Sequence, residues 1–95
     1  PISLYTVAVD DCLTAQASHS ADLILCNPPF HQEHVITEHI AQQMFRDSKR
    51  VLRKNGELWV VANRHLPYYH SLKRLFRTVK TVAQNNKFMI YQARG

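Results

Sequence analysis

Residues 22–26 read Asp-Leu-Ile-Leu-Cys, and the three that follow are Asn27, Pro28 and Pro29. A short apolar run without alternation predicts a strand buried on both faces of a parallel sheet. The two prolines remove two backbone donors and hold the residues before them extended, so neither strand nor helix continues there. Parallel α/β sheets meet both demands, because each strand ends in a loop beyond its carboxyl edge and ligands gather at that edge.

The rest of the chain supplies the other elements of such a sheet. Leu4–Val9 is rich in β-formers and ends in Asp10 and Asp11. From about Gln32 to Lys54 the pattern turns helical: Ile36, Ile40, Ala41, Met44, Phe45, Ser48, Val51 and Leu52 fall on one stripe at steps of three and four. Arg46, Lys49, Arg50, Arg53 and Lys54 crowd its second half, suited to the negative end of the helix dipole. Asn55-Gly56 then predicts a helix stop, with glycine in the left-handed conformation. A third strand is expected at 57–63, and a second helix at Tyr68–Phe76 with Pro67 at its entrance. The tail predicts two antiparallel strands, 78–84 and 88–93, around Asn85-Asn86-Lys87. The fold class is α/β: a mainly parallel sheet with a carboxyl-terminal antiparallel hairpin.

Ninety-five residues suffice for one small domain, here 1–95. No apolar run approaches the ~20 residues of a membrane span, and the amino terminus lacks the pattern of a secretory signal. Cys12 and Cys26 have no C-x-x-C spacing, which favours free thiols and a reducing cytoplasm. A net charge of +5 and a pI near 9.6 favour an anionic partner such as nucleic acid. The chain begins at a proline and is expected to be a piece of something longer.

The strand ends suggest chemistry. An exocyclic amine on a nucleobase is a poor nucleophile, because its lone pair is delocalised into the ring. Two hydrogen-bond acceptors fixed against its N–H groups orient the nitrogen and stabilise the positive charge that develops on it during attack. The amide oxygen of Asn27 and the carbonyl of Pro28 are suitable acceptors; Pro28 and Pro29 preset them by stiffening the loop. Phe30 offers a flat face for an extruded base. By their positions, Arg64 and His65 after the third strand and Lys87 in the hairpin turn are candidates to contact an anionic substrate, and His31 lies next to Phe30.

At this point "LILCNPPFH", "GELWVVANRHLPY" and "NNKF" together resemble the bacterial ribosomal RNA guanine-N2 methyltransferases, nearer the large-subunit (23S) branch than the small-subunit one. The resemblance implies a Rossmann-like, S-adenosylmethionine-dependent methyltransferase fold, with ribosomal RNA as partner. It implies that Asn27 and Pro28 accept from the target amine, that Phe30 holds the base, and that Asn27 also borders the cofactor. Asp11, ahead of Asp10, matches the position that contacts the cofactor's adenine, although ordinary turn chemistry accounts for the pair equally well. The family's glycine-rich cofactor turn is missing: the chain has only Gly56 and Gly95. The expectation is therefore the carboxyl-terminal half of a catalytic domain, inactive alone, with residues 1–12 loosely held or paired abnormally because two strands of the intact sheet belong between them and the rest.

Other readings stay open. Asn-Pro-Pro-aromatic signatures also serve adenine-N6 and glutamine-N5 methyltransferases, and a non-catalytic RNA-binding domain of the same fold is the alternative from another class. His31, His34 and His39 match no usual zinc spacing, so no metal is expected. Lys73, Arg74, Arg77 and Lys80, with Tyr68 and Tyr69 nearby, read first as a solvated helix face and second as an RNA patch. Cys26 reads as a buried strand residue.

Overall fold

The computed structural model describes residues 2–7, 13–28 and 34–95. Strand β1 is Leu4–Val7, β2 is Ala21–Cys26, helix α1 is His34–Val51 and β3 is Leu52–Asn63. Helix α2 is Tyr68–Leu75, and β4 (Thr78–Gln84) and β5 (Phe88–Arg94) close the chain. The five strands form one sheet in the order β1-β2-β3-β5-β4. β1, β2 and β3 run parallel, and β5 lies antiparallel to both β3 and β4. The mainly parallel sheet with its antiparallel hairpin is thus as the sequence predicts. β4 consequently runs in the same direction as β3, which puts the hairpin turn on the carboxyl edge.

Both helices cover one face. The stripe on α1 packs Ala41, Met44, Phe45, Ser48 and Val51 into the core against Ile24, Cys26, Leu58, Val60 and Ala62 of the sheet. The Phe45 and Tyr68 rings meet edge-on, centroids 5.5 Å apart, joining α1 to α2; such a contact adds about 0.5–1.5 kcal/mol beyond burial.

Two expectations fail here. β2 is not buried on both faces: Ile24 and Cys26 are buried but Leu25 is 41% exposed. Among the described residues no element covers the second face, where Leu25 pairs with Trp59 and Val61 with Ile90. The helix also stops three residues early, and Asn55-Gly56 does not cap it. The last carbonyls of α1 are satisfied from a distant loop instead, His19 N–H donating to Arg50 at 3.1 Å and Ser20 N–H to Val51 at 2.8 Å. The Arg50 guanidinium anchors that loop through Leu13 O (2.8 Å) and Ser18 Oγ (2.9 Å).

β3 accordingly begins at Leu52. Its register against β2 jumps, from Ala21–Leu52 to Leu23–Glu57, so Arg53–Gly56 bulge past a single residue of the neighbour. Gly56 serves this bulge by its size and not by a positive φ. A Cβ there would lie 2.8 Å from Leu52 Cδ2 and 3.1 Å from the carbonyl oxygens of Ala21 and Arg53.

β1 pairs directly with β2 over Leu4–Leu23 to Val7–Cys26. Asp22 holds its start, accepting from Ser3 N–H (2.9 Å) and Arg53 (2.9 Å). The Ser3 amide above all holds the Asp22 carboxyl below its usual range, against desolvation and with help from the Arg53 guanidinium.

Candidate active site

The carboxyl edge gathers three chain segments. β2 delivers Asn27 and Pro28, β3 delivers Asn63, Arg64 and His65, and the β4–β5 turn delivers Asn85, Asn86 and Lys87. Cys26 stands beside Val60, so Arg64 projects about three residues, roughly 10 Å, beyond the level of Asn27 and one strand away.

Asn27 and Pro28 split between solvent and core. Asn27 is exposed, and its amide makes no hydrogen bond among the described residues. The Pro28 ring is fully buried and anchors the loop. An exposed amide thus stands directly before a buried ring. Pro29, Phe30 and His31 lie outside the described residues, as do Asp10 and Asp11. Val7, the last described residue of β1, is the register partner of Cys26.

Across the edge, two asparagines build the turns. Asn63 Oδ1 accepts the His65 N–H at 2.9 Å and its carbonyl accepts Leu66 N–H at 3.1 Å. Asn85 Oδ1 takes both Lys87 N–H and Phe88 N–H at 2.8 Å. Arg64 ties the two turns together: its N–H donates to Lys87 O at 2.9 Å and its guanidinium approaches Asn85 O at 3.4 Å. Arg64, His65 and Lys87 are all exposed. Asn27 thus shares the carboxyl edge with a cationic rim of Arg64 and Lys87 that stands above it, the Arg64 guanidinium directed at the hairpin turn. The sequence marks Asn63 and Asn85 only as polar; their closing role appears once β3 and β5 pair.

Two side chains near the edge are excluded from chemistry at the surface. Burial pushes the Cys26 thiol up to about 12, so it is no nucleophile. Tyr68 does not join a surface patch with Tyr69. It is buried under the edge, its phenol pushed up to about 12 by desolvation first and then by Cys26 and Glu38. Lys73, Arg74, Arg77 and Lys80 are exposed, as a solvated face requires. His39 is exposed, and the side chains of His31 and His34 lie outside the described residues. Among the described residues no three metal-ligating groups converge, and no helix is long and apolar enough to cross a membrane.

The methyltransferase small domain family matches residues 2–92. The ribosomal RNA large subunit methyltransferase G of Aeromonas hydrophila is 59% identical over 85 residues, covering 90% of this chain and 22% of that protein. The protein of the same name from Photobacterium profundum is 58% identical over 88 residues, covering 93% of this chain and 24% of that one. The chain thus spans less than a quarter of the length of these relatives. Among solved structures, the Thermus thermophilus 16S rRNA N2 G1207 methyltransferase (RsmC), in complex with AdoMet and guanosine, superimposes with a TM-score of 0.70 at 16% identity. That match covers 84% of this chain and 21% of the other. With the family match running over nearly every residue and the sheet agreeing in fold, the chain belongs to the methyltransferase small domain family.

Proposed function

We propose that the complete protein carrying this chain transfers a methyl group from S-adenosylmethionine to the exocyclic N2 of a guanine in 23S ribosomal RNA, in the cytoplasm. The observation that carries the reading is Asn27: an exposed amide, without a hydrogen bond among the described residues, next to the buried Pro28 ring on the same sheet edge as the cations Arg64 and Lys87. The names of the relatives favour ribosomal RNA and the large subunit. Bound S-adenosylmethionine supplies an electrophilic methyl group. The residues of this chain act on the other reactant. Asn27 Oδ1 accepts one N–H of the amine and the Pro28 carbonyl accepts the second. These two acceptors would turn the nitrogen lone pair out of the base plane and stabilise the charge that develops on nitrogen. Phe30 stacks on the base, with His31, Arg64, His65 and Lys87 contacting the flanking RNA.

The cofactor's own cradle is not supplied by the described residues. Gly56 sits on the opposite edge, packed against Leu52, and does not form a phosphate- or cofactor-binding turn. Asn27, Asp11 and Asp10 would meet only the flank of the cofactor. This supports reading residues 1–95 as the carboxyl-terminal half of a catalytic domain. The uncovered sheet face supports the same reading, since parallel sheets are ordinarily covered on both sides. Insertion of further strands between β1 and β2 would then replace the direct β1–β2 ladder in the complete protein.

Asn27→Ala in the complete protein tests the catalytic assignment. Methylation of 23S rRNA should fall by about 100-fold or more, with RNA affinity within about twofold of the unsubstituted protein. Methylation that survives the substitution would leave a non-catalytic, RNA-binding role for this edge.

A further inference from the structure

The amino-terminal edge of the sheet carries a second concentration of charge. A cleft of about 660 Å³ opens there, lined by Lys49, Arg53, Lys54, Arg77 and Arg94. These cations come from four separate places: the last turn of α1, the bulge at the start of β3, the approach to β4 and the end of β5. Arg53 is paired with Asp22 at 2.9 Å and Arg94 with Glu57. Lys49 Nζ donates to Gly95 O, and among the described residues no carboxylate pairs with Lys54 or Arg77, so these two unpaired cations share one concavity. The Lys49 ammonium sits 5.3 Å from the centroid of the Phe76 ring at the cleft wall. A basic helix face needs only solvent. Convergence of cations from four segments on a concave surface instead focuses the field and raises the local concentration of anions.

We infer that this cleft binds the phosphodiester backbone of the RNA substrate at a second point, remote from the transfer site; the inference rests on the ribosomal RNA reading above. β3 runs from the bulge at Gly56 to Asn63, which separates the two edges by about 20 Å. A folded RNA is a polyanion long enough to touch both. The cleft offers Lys54 and Arg77 as unpaired phosphate contacts, with Arg53 at its wall, and its contacts carry no base specificity. Its role is to set affinity and register while the opposite edge selects the base.

The test uses the complete methyltransferase, 23S rRNA transcribed in vitro, and the double variant Lys54→Ala/Arg77→Ala. Loss of two phosphate contacts should flatten the dependence of log Kd on log salt by about 1.5. RNA affinity at moderate salt should weaken about tenfold. KM for RNA should rise while kcat at saturating RNA, S-adenosylmethionine affinity and melting temperature hold. The charge-preserving Lys54→Arg/Arg77→Lys should restore the slope. An unchanged slope and affinity in the alanine variant would overturn the inference. So would a lowered melting temperature with unchanged RNA affinity, which would mean that the cleft seats another part of the same polypeptide. Asn27→Ala assayed in parallel separates the two readings. If it abolishes methylation while the alanine pair leaves the slope intact, only the cleft falls. If it leaves methylation intact while the slope flattens, only the catalytic assignment falls.

Discussion

Cys26 and Asn27 are adjacent in sequence and opposite in situation. One is 2% exposed under the helices and the other stands in solvent at the sheet edge. With its thiol pushed up to about 12 by burial, Cys26 stays protonated at neutral pH. The native protein should therefore resist Ellman's reagent at this residue, and Cys26→Ala should retain methyl transfer while costing about 1–2 kcal/mol of stability in denaturant unfolding. Glu57 gives a pH prediction. Hydrogen bonds from Trp59 (2.9 Å) and Gln92 (2.6 Å), and then Arg94, hold its carboxyl below the ordinary 4.5. A carboxylate that titrates lower in the folded state stabilises fully above its unfolded pKa and is lost as pH falls through the folded value. The melting temperature should hold down to about pH 4.5 and then decline, and Glu57→Gln should remove this residue's share of the decline.

Among the elements, β3 shows where sequence patterning succeeds and where it stops. The apolar stripe of α1 is legible because 3.6-residue periodicity is a local property, and Ile40, Ala41, Met44, Phe45 and Val51 are core residues or pack against the core. The end of α1 was not legible. Asn55-Gly56 reads as a helix stop, yet the carbonyls of Arg50 and Val51 are satisfied by His19 and Ser20, some thirty residues away in the chain. No local signal encodes that partner. Gly56 was likewise singled out for the wrong reason: it is required by the approach of Ala21 O and Leu52 across the bulge. Gly56→Ala should destabilise by about 1–3 kcal/mol in thermal or denaturant unfolding, because two of the three close atoms are backbone carbonyls that cannot swing aside.

For the molecule as a whole, the two faces of the sheet differ. One buries a continuous core; the other exposes Leu4, Leu25 and Val61 by 40–52%. If the rest of the catalytic domain covers that face, Leu25→Thr/Val61→Thr should lower the melting temperature of the complete protein by several degrees. In the isolated chain the same pair should instead reduce binding of a hydrophobic dye. Equal behaviour in both contexts would count against a covering segment. Hydrogen exchange on the isolated chain should rank β3 and β5 as most protected and β1 as least, since β1 is a four-residue edge strand with one neighbour. What the sequence alone determined was the set of elements and the position of Asn27, because strand and helix periodicity and the conformational limits of proline act within a few residues. Tertiary structure decided which loops share an edge, which charges share a cleft and which strand face lies bare. Those follow from pairings such as Ala21–Leu52 and Asn63–Phe88, whose partners lie 25–31 residues apart and leave no mark in any local window.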